Sequence, residues 1–256
     1  MSAVQRRTDA LAGLLAGAHA GRAAVEIHEE LAPRSADEAY SVQDRVYAAV
    51  RGGARPQAWK VGAGAEKAEP TASPILEVFS SPARLAAKYR RLIGVEAEVA
   101  YRFSRALPAR AERYTDDEIS ASIGEVLVAI ELCDARLSDW KAAPPLWKLA
   151  DFGLNAALVT GSGSADWRRL EFSSQRAELL IDGQRRVDVT GAHPCGDPFR
   201  LLPWIVAHCA HRSDGLRAGD VVTTGSWGGM HPAAPGQTVL ARFPGIGEAS
   251  ATIPPI

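Results

Sequence analysis

The chain has 256 residues, 46% of them apolar and 23% charged, and its 29 lysines and arginines nearly cancel 30 aspartates and glutamates. That size permits a proper buried core, and the balanced charge excludes a global field suited to nucleic acid or an acidic membrane surface. Cys133, Cys195 and Cys209 are an odd number without CxxC spacing, which fits free thiols in a reducing, cytoplasmic compartment better than a disulfide framework or a zinc site.

In chain order, Arg6 and Arg7 ahead of residues 11–20 imitate a secretion signal, but Asp9, two glycines and only three leucines favour a short helix capped by Thr8 or Asp9. No other stretch approaches the roughly 20 apolar residues of a membrane span. Ser35-Ala36-Asp37-Glu38 is a capping-box pattern, and Ala39, Val42, Val46, Tyr47 and Val50 follow at helical spacing until Gly52-Gly53. Residues 58–61 predict a short strand, with a Gly/Ala/Pro-rich loop to Pro74. Residues 95–103 alternate, so Val95, Ala97, Val99, Tyr101 and Phe103 share one strand face while Glu96, Glu98, Ala100 and Arg102 share the other. Thr115-Asp116-Asp117-Glu118 offers a second capping box, for a helix ending near Gly124. Residues 126–133 read as a buried strand, residues 197–212 as a helix, and the last third as short strands between turns. The whole predicts an α+β chain, residues 1–256 as one domain, in which residues 1–60 form a helical cover and residues 61–256 a β-rich core built on a curved, largely antiparallel or mixed sheet.

Glu131 is the residue that most demands an explanation, because it lies inside the apolar run Val126-Leu127-Val128-Ala129-Ile130-Glu131-Leu132-Cys133. A carboxylate buried alone must find a cation, take up a proton or reach a cleft. Glu96 and Glu98 project from one strand face and raise each other's pKa unless something positive lies between them. A hard divalent cation, Mg2+ or Mn2+, satisfies all three acids through oxygen ligands. Two plainer readings stand beside it: Glu96 and Glu98 facing solvent, and Glu131 in a structural ion pair with Arg136 or Lys60. A two-carboxylate glycosidase gives no role to three acids in one cluster.

Gly94-Val95-Glu96-Ala97-Glu98-Val99-Ala100, followed by Ala129-Ile130-Glu131-Leu132-Cys133-Asp134-Ala135-Arg136, resembles the fumarylacetoacetate hydrolase superfamily, and within it the 2-keto-4-pentenoate hydratase and 4-oxalocrotonate decarboxylase branch. Trp59-Lys60-Val61-Gly62, Gly196-Asp197-Pro198, Ala218-Gly219-Asp220 and Thr223-Thr224-Gly225-Ser226 extend the resemblance, which runs from about residue 39 to the C-terminus. It implies a rolled, mixed β-sheet core of the fumarylacetoacetate hydrolase C-terminal type. It also implies metal ligation by Glu96, Glu98 and Glu131, catalysis by Lys60 and Glu96, and substrate contacts from Thr224, Gly225 and Ser226. The implied activity is a lyase: Mg2+- or Mn2+-dependent addition of water to a short 2-hydroxy-2,4-dienoate or its 2-oxo-4-enoate tautomer, as in aromatic-compound degradation. Decarboxylation or acylpyruvate-type C–C hydrolysis of a related 2-oxo acid, or a non-catalytic partner subunit of the same fold, are the alternatives. The implied partner is a small 2-oxo or 2-hydroxy acid, with neither nucleic acid nor membrane, and a homo-oligomer is expected.

The sequence departs from the branch at one point. Hydratases there carry Pro-Asp-Tyr-Gly after the lysine strand, whereas this chain has Pro70-Thr71-Ala72-Ser73, with Glu69 as an adjacent acid. Hydrolytic members use a His–Glu pair, which His28 with Glu29 or Glu30 imitates, although their polar flanks favour a solvated loop.

Overall fold

The structure is a computed structural model describing residues 2–85 and 91–255. Helix α1 (Ala3–His19) starts earlier than expected, at Ser2, whose hydroxyl accepts from the Gln5 N–H. Thr8 cannot cap it because its own hydroxyl donates back to the Val4 and Gln5 carbonyls, and Asp9 instead accepts from Arg45 at 2.5 Å. Helix α2 (Ala36–Arg51) is capped by Ser35 as its sequence predicts and ends at Gly52, whose φ of 60° only glycine adopts without strain. Leu11, Leu15, Val42, Val46 and Tyr47 bury the shared face of the two helices.

The chain then enters β structure: β1 (Ala58–Gly62), β2 (Thr71–Pro74), β3 (Val78–Ser80), β4 (Ala83–Arg84), β5 (Gly94–Phe103) and β6 (Leu107–Pro108). Helix α3 (Asp116–Ser122) carries the full Thr115–Glu118 capping box and leads directly into β7 (Ile123–Cys133). Helix α4 (Pro145–Ala150) precedes β8 (Asn155–Ser164), β9 (Arg176–Ile181) and β10 (Gln184–Thr190). Of the helix expected over 197–212, the first turn is 3-10 and only α5 (Leu202–Arg212) is α-helical, with Pro203 in its first turn where no N–H is missed. The chain closes with β11 (Gly215–Leu216), β12 (Val221–Ser226), β13 (His231–Pro232), β14 (Thr238–Phe243) and β15 (Gly247–Thr252).

The larger sheet runs β2-β1-β12-β5-β7-β8-β3 with β13 also on β5, and the smaller runs β10-β9-β14-β15-β4. Most pairs are antiparallel, but β1–β12, β3–β8 and β4–β15 are parallel, so both sheets are mixed, as expected. The sheets pack face to face. Val99, Tyr101, Val128, Ile130 and Val159 from one interdigitate with Leu179, Val239, Ala241 and Phe243 from the other.

The opposite face of the larger sheet turns toward α2, α4 and their apolar cluster, which includes Leu76 and Phe152. The helical cover is thus real, with α4 joining it from later in the chain. The last third does carry short strands, β9 to β15, as the turn signals suggest, but the middle of the larger sheet is built earlier in the chain. The central strands β5, β7 and β8 all precede residue 165, and β8 starts with six buried residues in a row, which hides the alternation of a half-buried strand. No helix of the described residues is long and apolar enough to cross a membrane.

Candidate metal centre

The alternation of β5 and β7 decides where the acids go. Apolar residues of odd number on β5 enter the space between the sheets, so Glu96 and Glu98 must face the helical side. On β7 the even-numbered Val126, Val128, Ile130 and Leu132 take that inter-sheet space, leaving Glu131 and Cys133 on the same side as Glu96. The register places Glu96 directly opposite Glu131, with Glu98 opposite Ala129 and Gly94 opposite Cys133. One ligand atom each from Glu96, Glu131 and Cys133 lie within 4.8 Å of one another. Glu98 stands one step along the strand, outside that grouping, and its Oε2 accepts from the Thr223 hydroxyl and, at 3.1 Å, from the Gly225 N–H.

Lys60 reaches this face from β1, two strands away from β5 across β12. Its Nζ donates to Glu131 Oε1 at 2.5 Å and to the Gly153 carbonyl at 3.3 Å. The Asn155 amide donates to the same Glu131 oxygen at 3.0 Å. The ion-pair reading of Glu131 is therefore correct as to Lys60 and wrong as to Arg136, whose guanidinium is committed to Asp151 at 2.5 Å. Lys60 still does not satisfy the cluster. Glu131 and Glu98 are both fully buried, and among the described residues Glu131 Oε2, Glu98 Oε1 and Asn155 Oδ1 have no hydrogen-bond partner.

The electrostatics follow from this surplus of acid. Burial, then the Glu131 charge, raises the Glu96 carboxyl to about 7. Burial, Glu131 and Glu96 together push Glu98 well above the usual carboxylate range. Burial alone would lower the Lys60 ammonium, but Glu131 beside it holds it above the ordinary lysine range. Buried carboxylate oxygens without donors, gathered on one face, fit a divalent cation with an affinity for oxygen.

The Thr-Gly-Ser segment borders the site through its backbone more than its side chains. Thr224 Oγ1 donates to the Val99 carbonyl at 2.7 Å, and Ser226 Oγ donates to the Gly229 carbonyl at 3.1 Å. The β12–β5 register breaks between Thr223 and Ser226, where Gly225 adopts φ 102° and turns its N–H to Glu98. Behind the turn, buried His193 bridges Thr224 O at 2.8 Å and the Cys195 N–H at 3.2 Å.

Sequence reasoning missed Asn155, Thr223 and His193. Thr223 could have been found, since it precedes the Thr-Gly-Ser segment, but nothing local marks the other two. Of the loop residues noted in the sequence, Glu69 accepts from the Trp204 indole at 2.9 Å, and His28 is exposed, 3.5 Å from Glu26.

The profile of the fumarylacetoacetate (FAA) hydrolase C-terminal family matches residues 66–254. The chain is similar to 2-keto-4-pentenoate hydratase of Burkholderia vietnamiensis (strain G4 / LMG 22486), 31% identical over 158 residues, 62% of this chain and 59% of that protein. The protein of the same name from Paraburkholderia phymatum (strain DSM 17167 / CIP 108236 / LMG 21445 / STM815) is 29% identical over the same shares. The chain thus matches about 59% of the length of these curated relatives. Among solved structures, 4-oxalocrotonate decarboxylase from Pseudomonas putida G7, complexed with magnesium and adipate, superposes with a TM-score of 0.83 at 18% identity, over 99% of this chain and 98% of that one. With a family profile covering nearly three quarters of its length and a matching rolled mixed sheet, this chain belongs to the fumarylacetoacetate hydrolase C-terminal family.

Proposed function

We propose that the chain is a divalent-metal-dependent hydratase, a lyase that adds water to a short 2-hydroxy-2,4-dienoate or its 2-oxo-4-enoate tautomer, as in aromatic-compound degradation. The observation that carries this reading is the excess of buried carboxylate over Lys60 among the described residues, with oxygens of Glu98 and Glu131 left unpartnered there. Glu96, Glu98 and Glu131 would hold Mg2+ or Mn2+, and the relatives named hydratase support the substrate class. The cation, when bound, supplies Lewis-acid charge and open positions for a 2-oxo acid.

The chain's own residues do the rest. Lys60, fixed by Glu131 and the Gly153 carbonyl, offers its remaining N–H toward an oxyanion or carboxylate on the substrate. Glu96 is the half-buried acid of the three, and it is the one placed to exchange a proton with bound substrate. Gly225 and Ser226 form the wall beside Glu98 and receive the carboxylate end. Three unpaired buried thiols fit a cytoplasmic protein.

A second reading has its own observation. Thr71 stands exposed where branch hydratases carry an aspartate, and Glu69 is tied to Trp204. Decarboxylation of a 2-oxo-enedioate needs an electron sink but no base at that position. The experiment offers the purified chain a dienoate, a 2-oxo-enedioate and an acylpyruvate, each with Mg2+ or Mn2+ and with EDTA. Metal-dependent loss of the dienoate's ultraviolet absorbance supports the hydratase. Turnover of the 2-oxo-enedioate alone installs the decarboxylase instead, and turnover of the acylpyruvate alone overturns both.

A further inference from the structure

Cys133 shares the metal-facing side of β7 with Glu131, two residues earlier, and is 3% exposed. Its cross-strand partner is Gly94, which has no side chain to come between the thiol and Glu96. The Met230 thioether covers Gly94 so closely that a Cβ there would collide with it, and the same Cβ would lie 3.2 Å from that of Cys133. The far end of the site is therefore lined by sulfur. The grouping that lies within 4.8 Å contains the Cys133 sulfur with oxygens of Glu96 and Glu131. Ligands about 2.0–2.3 Å from one ion stand up to roughly 4.5 Å apart, so a single cation reaches all three after a small contraction. Independently of the thiol, the fully buried Glu131 Oε2, unpartnered among the described residues, marks the Glu131 side of the grouping as short of a positive partner. Glu98 holds its Oε2 against Thr223 and Gly225, and among the described residues its Oε1 has no partner and stays available beside Glu96.

We propose that Cys133 joins Glu96 and Glu131 as a sulfur ligand, and that this mixed oxygen–sulfur site takes a borderline cation such as Mn2+, Fe2+, Co2+ or Zn2+ in preference to Mg2+. The inference rests on the reading that the carboxylates hold a divalent cation, and it adds which cation and through which atom. Oxygen-only sites suit Mg2+, whereas a thiolate favours softer ions and tightens binding along the series from Mn2+ to Zn2+. The thiol proton is released on coordination.

The test is titration of the full-length chain with Co2+, followed by absorbance, for wild type, Cys133→Ser and Cys133→Ala. The expected result is a near-ultraviolet sulfur-to-cobalt charge-transfer band in wild type that is missing in both variants. Their Co2+ affinity drops at least about tenfold while their Mg2+ affinity stays close to that of wild type. Visible cobalt bands without the charge-transfer band, at an affinity that neither variant changes, overturn the sulfur ligand and leave the carboxylate site standing. No binding of any divalent cation by wild type overturns both. Should the variants fail to fold by circular dichroism, the presence or absence of the wild-type band alone decides.

Discussion

Replacing Glu98 by glutamine separates a metal site from a structural cluster, because the two readings predict opposite effects. In the absence of metal, Glu98 is fully buried, and burial together with the charges of Glu131 and Glu96 disfavours its ionised form. An amide at this position still accepts from the Thr223 hydroxyl and the Gly225 N–H. Exchanging charge-assisted for neutral hydrogen bonds costs about 1 kcal/mol. The acid must either carry a charge facing two other carboxylates or take up a proton that the unfolded chain does not hold, and removing that cost returns more, about 0.5–2 kcal/mol net. Glu98→Gln is therefore expected to unfold about 1 kcal/mol later than wild type in EDTA. With metal at 100 times its dissociation constant, wild type gains about 2.7 kcal/mol, and Tm rises by roughly 5–10 °C for a chain of this size. A variant whose affinity is a hundredfold weaker gains only about 0.4 kcal/mol under the same conditions. The stability order of the two proteins thus inverts on adding Mn2+. Urea denaturation followed by circular dichroism, with EDTA and then with Mn2+, reads both differences. If the variant is the less stable protein in EDTA and Mn2+ raises both equally, the surplus of acid is not a cation site.

Three further outcomes follow from particular contacts. Asn155→Leu removes the amide that holds Glu131 Oε1 at 3.0 Å, and calorimetric titration should show metal affinity reduced about 10–100-fold with the fold retained. His208 is stacked on Trp204 and lies 3.1 Å from the Arg212 guanidinium. Burial, then the charges of Arg212 and His211, lowers it from 6.5 to about 3. The unfolded chain binds this proton first, so the stability His208 contributes is complete above about pH 6.5 and declines as pH falls toward 3. His208→Phe should accordingly lose less stability than wild type between neutral pH and about pH 5 in urea titrations. Asp151→Ala leaves the buried Arg136 guanidinium and its backbone N–H without their acceptor, which should cost about 3–5 kcal/mol in the same assay. A shift below about 1 kcal/mol would show that water reaches the pair.

Legibility in the sequence tracks how local each determinant is. The β5 and β7 strands and the three acids could be read because a carboxylate inside an apolar run breaks a pattern that only local alternation sets. The caps at Ser35 and Thr115 were legible for the same reason, since a cap acts over three residues. The start of α1 was not, because Thr8 has the right side chain but spends its hydroxyl inside the helix. Asn155 and His193 could not be found by inspection. Asn155 meets Glu131 only through the β7–β8 pairing, and His193 meets Thr224 across a loop closed by tertiary packing. The pairing of Lys60 with Glu131 was legible as one option among two, and only the order β1-β12-β5-β7 across the sheet chooses between them.

That choice leaves a remainder that bears on function. Lys60 neutralises one carboxylate, and like charges directly opposite one another destabilise a strand pair. Glu96 and Glu131 nevertheless stand opposite in mid-ladder, between the apolar pairs Val95–Leu132 and Ala97–Ile130. Glutamine at 96 or 98 would keep the hydrogen-bonding capacity and remove the repulsion, so folding alone gives no reason for the second and third acids. Nor do the arginines within reach in the sequence supply one, because Arg102 pairs with Glu125 at 2.6 Å and Arg136 with Asp151. A charge that the described residues of the fold neither need nor neutralise fits the proposed cation, which arrives from outside it.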